Sequence, residues 1–372
     1  MTVLPRTPYP VVSASRLAAN IQQMQALAQH AGVRLRPHTK THKSPVIAQM
    51  QIDAGAAGIC CAKLAEAEVF ADAGITDIRL PYPINPSNAD RVLALIERVR
   101  LSIIVDDPAV AAEWSGEMTG AGKTLEVLVK VDVGFHRCGV NPEAADAVET
   151  ITRIAAMPGL SFRGLLSHAG QAYNAESPYA LAAIVNQETD IMTGLAKRLR
   201  DAGVPVEEIS VGSTPTAAFA PTQNGITEMR PGNYVFFDRT QVGLEAATYD
   251  KCALFVVAMV VSRPSPDRVV LDCGSKTLTS DGARGFGDFP GHGAVFVSPA
   301  TNEPDTSIVI ERLSEEHAVC RVPGSSPLRP GDHVRVLPNH ACTVANLTDR
   351  LWLSDGQNGL EPLAVAARGR IW

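Results

Sequence analysis

At 372 residues and 45% hydrophobic content, the chain can bury a large core and is long enough for one big domain plus a smaller one. Its formal net charge of -6, with the basic residues dispersed, leaves no electrostatic footprint for nucleic acid. The amino terminus lacks the charged and then apolar segments of a signal peptide, and no apolar run approaches the ~20 residues that span a bilayer, so a cytoplasmic protein without a membrane partner is expected.

The first predicted strand, Val33–Lys40, alternates apolar and basic residues and delivers an amine, Lys40, to its tip; a helix-like run follows at Ser44–Ala54. Catalytic groups of barrel enzymes sit at that end of a strand, so Lys40 is placed for covalent chemistry, the plain alternative being a basic surface turn. Short β-branched runs then alternate with alanine-rich amphipathic segments, the pattern of repeated βα units. The further strands are Gly58–Ala62, Asp77–Pro81, Leu101–Asp106, Thr124–Val133, Ser161–Ser167, Glu207–Val211 and Gly225–Met229, and the helices include Leu64–Ala73, Ser87–Arg98, Pro142–Ala156 and Tyr179–Ala202. Eight such units fit an α/β fold of the (β/α)8 TIM-type barrel, with a doubly wound open sheet as the alternative.

After Asp238 the texture changes. Lys251–Ser262, Asp267–Asp272, Gly293–Val297, Ser307–Arg312, His317–Val322 and His333–Val336 are short, β-rich and separated by Gly, Pro, Asp and Ser, which predicts an all-β domain. The chain therefore divides into 1–242 and 243–372, with the first ten or so residues packing on the β unit. The cysteines number seven and are scattered, which argues for reduced thiols; Cys60 and Cys61 lie in a buried strand.

Polar clusters fall where predicted barrel strands end. Gly212-Ser213-Thr214-Pro-Thr216 follows the seventh strand, and its small residues expose N–H groups and hydroxyls, a cradle for a phosphate. A second glycine turn, Arg230-Pro-Gly232-Asn233-Tyr234, follows the eighth; loops after strands seven and eight are the usual phosphate site of this barrel. Arg137, beside Gly134 and Gly139, follows the fifth, and His168, Gln171 and Tyr173 follow the sixth. A lysine, a phosphate cradle and an arginine-bearing, aromatic-lined mouth are together what pyridoxal phosphate needs. In the β-rich part, His340 and Cys342 stand two apart on a segment expected to be extended, so an imidazole and a thiolate project to one face and can share a metal ion; the thiolate favours zinc.

These motifs, Arg36-Pro-His38-Thr-Lys40-Thr-His-Lys43, Asp132-Val-Gly-Phe-His-Arg137-Cys-Gly139, Gly212-Ser-Thr-Pro-Thr216, Arg230-Pro-Gly-Asn-Tyr234 and Pro338-Asn-His-Ala-Cys342, span nearly the whole chain. Their combination resembles the pyridoxal-phosphate enzymes that include eukaryotic-type D-serine dehydratase, D-threonine aldolase and the D-3-hydroxyaspartate lyases, related in fold to alanine racemase. The resemblance implies a barrel holding pyridoxal 5'-phosphate, a C-terminal β domain supplying a divalent metal (zinc, with manganese as the alternative), and a homodimer. By position it makes Lys40, just after Pro37-His38, the Schiff-base lysine and Lys43 a decoy. It turns Arg137 to the ring oxygen, sets His168 and Tyr173 near the ring, surrounds the phosphate with Gly212, Ser213, Thr214, Gly232, Asn233 and Tyr234, and gives the metal to His340 and Cys342. Gln171 departs from the pattern on a wall expected to face the substrate.

The implied activity is that of a lyase on D-serine, D-threonine or D-3-hydroxyaspartate. Dehydration to a 2-keto acid and ammonia is preferred because the Lys-Thr-His-Lys form and His-x-Cys ligands go with the dehydratase-like members. Retro-aldol cleavage to glycine and an aldehyde is the alternative. A racemase of alanine-racemase type needs no metal, which the His340 and Cys342 pair counts against.

Overall fold

The computed structural model describes residues 5–298, 301–357 and 359–372. Strand β1 (Tyr9–Ser13) leads into helix α1 (Ala14–His30), whose start is fixed by the Ser13 hydroxyl accepting the Arg16 N–H at 3.4 Å. Eight short strands follow: β2 (Arg34–Leu35), β3 (Ile59–Cys60), β4 (Asp77–Pro83), β5 (Arg100–Val105), β6 (Leu125–Lys130), β7 (Leu160–Leu166), β8 (Glu208–Val211) and β9 (Glu228–Met229). They pair in parallel in the order β2-β9-β8-β7-β6-β5-β4-β3, and the two ends meet at a parallel bridge between His38 and Cys60. The sheet is thus curled round on itself as the sequence predicts, not left open in the doubly wound manner.

Helices α2 (Pro45–Asp53), α3 (Leu64–Asp72), α4 (Ala89–Ile96), α5 (Pro108–Gly120), α6 (Ala147–Ala155) and α7 (Pro178–Asp201) connect the strands and share one apolar cluster with them. Local chemistry starts two of them firmly. Asp107 and Ser177 accept backbone N–H groups of the first turn, and each is followed by a proline whose fixed φ suits that position. The barrel interior carries charge: Arg79 donates to Glu208 Oε2 at 2.8 Å and also pairs with Glu228, which accepts from Arg36 Nε at 2.9 Å. Because β4 and β9 are not neighbours in the sheet, the Arg79 and Glu228 pair crosses the interior.

After the short helix α8 (Arg239–Gly243) come β10 (Leu254–Ser265), β11 (Arg268–Leu271), helix α9 (Ser275–Leu278), β12 (Ala294–Phe296), β13 (Val309–Leu313), β14 (Ala318–Arg321), β15 (His333–Leu337), helix α10 (Ala341–Asn346), β16 (Arg350–Ser354) and β17 (Leu360–Ala364). They form a second sheet in the order β13-β14-β11-β10-β1-β16-β17, with β15 joining β10 to β12. Strand β1 lies between the others, antiparallel to β10 and parallel to β16. Strands β1, β16 and β17 are additions to the sequence expectation. Among the described residues no helix is long and apolar enough to cross a membrane.

Candidate active site

Lys40 does not end a strand. β2 stops at Leu35, the chain bridges to Cys60 at His38, and Lys40 falls in the 3-10 turn Thr39–Thr41. His38 caps that turn, its Nδ1 accepting the Lys40 backbone N–H at 3.4 Å. Lys40 lines a cavity of about 590 Å³ at the C-terminal ends of the barrel strands, a volume suited to a small ligand. Lys43 is committed elsewhere, its Nζ buried 2.8 Å from Glu66 Oε1.

The same cavity is lined by His38, Arg137, His168, Tyr173, Gly212, Ser213, Thr214, Gly232, Asn233, His340 and Cys342. Tyr234 is the exception. The 3-10 turn Asn233–Val235 sends its ring into the core, where its hydroxyl accepts from Gln51 Nε2 at 2.9 Å, while its backbone N–H stays at the glycine turns and donates to Thr214 Oγ1 at 3.2 Å. Gln171 is likewise turned from the cavity, donating to the Val133 carbonyl at 2.8 Å.

The two glycine turns fit an anion. The backbone N–H groups of Thr214 and Gly232 have no acceptor among the described residues, and Gly212 has φ +105°, which bends the chain after β8. A Cβ on Gly232 would come 2.8 Å from the His38 carbonyl oxygen and 3.0 Å from Thr41 Oγ1, so only glycine lets this turn lie against the lysine turn. Ser213 and Thr214 are buried residues of the wall, with Ser213 Oγ 3.2 Å from Thr216 Oγ1 and Thr214 Oγ1 accepting the Tyr234 N–H at 3.2 Å.

The cavity floor is cationic. Arg230, buried, donates to Ser210 Oγ at 2.5 Å and to the Ser167 carbonyl. Burial, with Arg230 nearby, lowers the Lys130 amine to about 7. Sequence reasoning assigned no role to either residue, although both stand where β9 and β6 run out. Burial and then the charge of Lys40 push His38 and His168 well below the usual imidazole range, so both are neutral. Arg137 is exposed and lies over the Phe135 ring, 5.4 Å from its centroid.

His340 and Cys342 come together beside the lysine turn by a different geometry from the one expected, Cys342 Sγ accepting from Asn233 Nδ2 at 3.6 Å. His340 is the extended residue just ahead of α10, and Cys342 lies in that helix's first turn. Burial favours neutral forms of both, yet their mutual attraction prevails: His340 is raised to about 10, and the Cys342 thiol is lowered. Asp281 Oδ2 lies 2.7 Å from His340 Nδ1, leaving Nε2 as the ring nitrogen available to a metal. Asp238, buried, accepts from Asn233 Nδ2 at 2.5 Å and from the Ala341 N–H at 2.9 Å, fastening the second glycine turn to α10. Among the described residues no cluster of three or more acidic, histidine or cysteine side chains is arranged as a cation cage. An imidazole and a thiolate with open positions beside them are nonetheless donors of the kind a catalytic metal uses.

A family profile described as the alanine racemase N-terminal domain matches residues 12–240, and one for a serine dehydratase domain matches 253–353. The chain is 34% identical over 349 residues to a D-threonine aldolase of Arthrobacter sp., across 93% of this chain and 88% of that protein. It is 36% identical over 351 residues to the D-threo-3-hydroxyaspartate dehydratase of Delftia sp. strain HT23, across 91% of each. The solved structure of that dehydratase superposes with a TM-score of 0.91 at 32% identity, over 97% of both chains, and a cysteine-to-alanine mutant of a D-threo-3-hydroxyaspartate dehydratase, solved in the metal-free form, superposes with the same score.

Proposed function

Because the chain belongs to the alanine racemase-like family of pyridoxal-phosphate enzymes that carry a serine dehydratase domain, we propose that it is a metal-assisted lyase of D-3-hydroxy amino acids acting by dehydration. The observation that carries this reading is the meeting of two chemistries in one cavity. Cys342 Sγ lies 3.3 Å from the hydroxyl of Thr41, the residue after Lys40. One small substrate can therefore offer its Cα–H to the amine and its β-hydroxyl to the His340 and Cys342 wall.

When bound, pyridoxal phosphate supplies an electron sink at Cα, and a divalent metal supplies a Lewis acid at the hydroxyl. Lys40 would anchor the cofactor covalently, and its amine would take the Cα proton. Gly212, Ser213, Thr214, Gly232 and Asn233 would hold the phosphate, Arg137 would meet the ring oxygen, and neutral His38 and His168 line the site beside Lys40. His340 and Cys342 would hold the metal, with Asp281 orienting the imidazole. The thiolate supports zinc over manganese. A cytoplasmic homodimer, with a cofactor unit at 1–242 and a metal unit at 243–372, completes the reading on the family resemblance.

Tyr173 favours elimination. Burial raises its pKa, Cys342 and Asp238 raise it further, and it stands in the cavity as a protonated hydroxyl. A donor beside the β-hydroxyl assists hydroxide departure, whereas retro-aldol cleavage needs that hydroxyl to lose its proton. Aldol cleavage remains the second reading, supported by the similarity to the Arthrobacter enzyme. Product analysis with D-serine, D-threonine and D-3-hydroxyaspartate decides. A 2-keto acid with ammonia is the expected outcome, and glycine with an aldehyde would replace dehydration by aldol cleavage.

A further inference from the structure

One cation on the cavity wall has no part in the chemistry above. Arg284 is exposed, lines the cavity, and forms no ion pair with any acidic side chain among the described residues. Its backbone is nevertheless fixed. The Arg284 N–H donates to Thr240 Oγ1 at 3.2 Å, and the Phe286 N–H donates to the Gly243 carbonyl at 2.8 Å. A Cβ on Gly285 would lie 2.5 Å from the Gly243 Cα, so the segment is pressed flush against α8. Three residues before it in the chain, Asp281 holds His340 Nδ1 at 2.7 Å. Asp281, Tyr173, His340 and Cys342 line the same cavity as Arg284, and Asp281 reaches it on the same short segment.

That position says what the arginine can meet. A substrate whose Cα is at Lys40 and whose β-hydroxyl is at His340 and Cys342 presents its remaining Cβ substituent along the same wall. A hydrogen or a methyl there gives a guanidinium nothing to bind, whereas a carboxylate matches its planar pair of donors. We propose that Arg284 is a specificity-determining residue that recognises a carboxylate carried on Cβ, so that acidic D-3-hydroxy amino acids of the hydroxyaspartate type are preferred over D-serine and D-threonine. This rests on the lyase reading given above.

Binding tests it separately from turnover. Neither D-aspartate nor D-alanine has a hydroxyl to lose, and calorimetric titration of the holoenzyme should find D-aspartate bound at least about tenfold more tightly, as a charge-assisted pair requires. Arg284→Gln should collapse that ratio towards one, and Arg284→Lys should leave it intermediate. The ratio of kcat/KM for D-3-hydroxyaspartate over D-serine should fall at least about tenfold in Arg284→Gln. Equal binding of the two ligands by the wild type, or a binding ratio unmoved by both variants, would overturn the assignment. If the wild type prefers D-aspartate through Arg284 yet leaves every D-3-hydroxy amino acid intact, the lyase reading fails and the arginine assignment stands.

Discussion

Cys342 Sγ and Thr41 Oγ1 lie 3.3 Å apart although 301 residues separate them in the chain. The contact helps hold the thiol below its ordinary range and couples the His340 and Cys342 pair to the lysine turn. Thr41→Val keeps the volume and removes the hydroxyl. Metal affinity should drop by roughly fivefold, the worth of one hydrogen bond of ~1 kcal/mol, and alkylation of Cys342 in the metal-free protein should shift to higher pH. Unchanged alkylation and metal titration would show that the contact does nothing.

Lys40 and Lys43 should separate cleanly by absorbance. Lys40→Ala should lose the visible band of a lysine-bound cofactor on reconstitution with pyridoxal phosphate, whereas Lys43→Ala should keep it. Lys43→Ala should instead lose about 3–5 kcal/mol in denaturant unfolding, since Glu66 stays buried without its partner. A band retained in Lys40→Ala would remove the anchor from this residue.

His340→Ala or Cys342→Ala should abolish stoichiometric metal in elemental analysis and stop turnover of hydroxy substrates, yet leave the cofactor band in place. Asn233 Nδ2 donates to Cys342 Sγ at 3.6 Å, but it also donates to Asp238 Oδ2 at 2.5 Å, which holds the second glycine turn in place without the thiol. Loss of the band together with the metal would mean that the two functions are not separable.

Glu228 holds the charged plug of the barrel. Burial alone would raise its pKa, but Arg79 and then Arg36 bring it down to about 2. Its contribution, about 3 kcal/mol, is present above the unfolded carboxyl range near 4.5 and is lost as pH falls towards 2. The stability gap between wild type and Glu228→Gln should therefore be wide at neutral pH and shrink in acid; a gap constant with pH would contradict it.

Lys130 should act in the opposite direction. Its folded pKa of about 7 lies below the ordinary 10.5, so the cost of burying its charge is full below pH 7 and relieved as pH rises towards 10.5. Cofactor-free wild type should gain on Lys130→Met across that window by up to a few kcal/mol in thermal or denaturant unfolding. Parallel stability curves would refute the depressed amine.

The eight barrel strands were legible because each is a short apolar run between helical segments, and burial on both faces demands that pattern. Lys40, the glycine turns and the His340 and Cys342 pair were legible as chemistry. Their backbone was not: His38-Thr39-Lys40 reads as strand by alternation, yet the bridge to Cys60 ends the ladder there. Arg36, Arg79, Glu208 and Glu228 look like surface charges on a strand, and only a closed sheet gives them one another. Asp281 and Arg284 sit in a glycine-rich connection with no periodicity, so no sequence pattern brings them to the cavity. Strand β1 is five residues with a proline inside, and its partners lie far along the chain.

That strand has a consequence for how the molecule comes into being. β1 is laid between β10 and β16, so residues 9–13 must wait through synthesis of everything up to position 354 before their sheet is closed on both sides. β10 carries β15, which leads directly to His340. A fragment containing only the barrel would leave β1 with no partner on either edge, and a fragment containing only the later strands would lack its central member. The Lys40 turn and the His340 and Cys342 pair thus take shape in one folding event, and a split of the gene between them should yield two insoluble halves rather than two working modules.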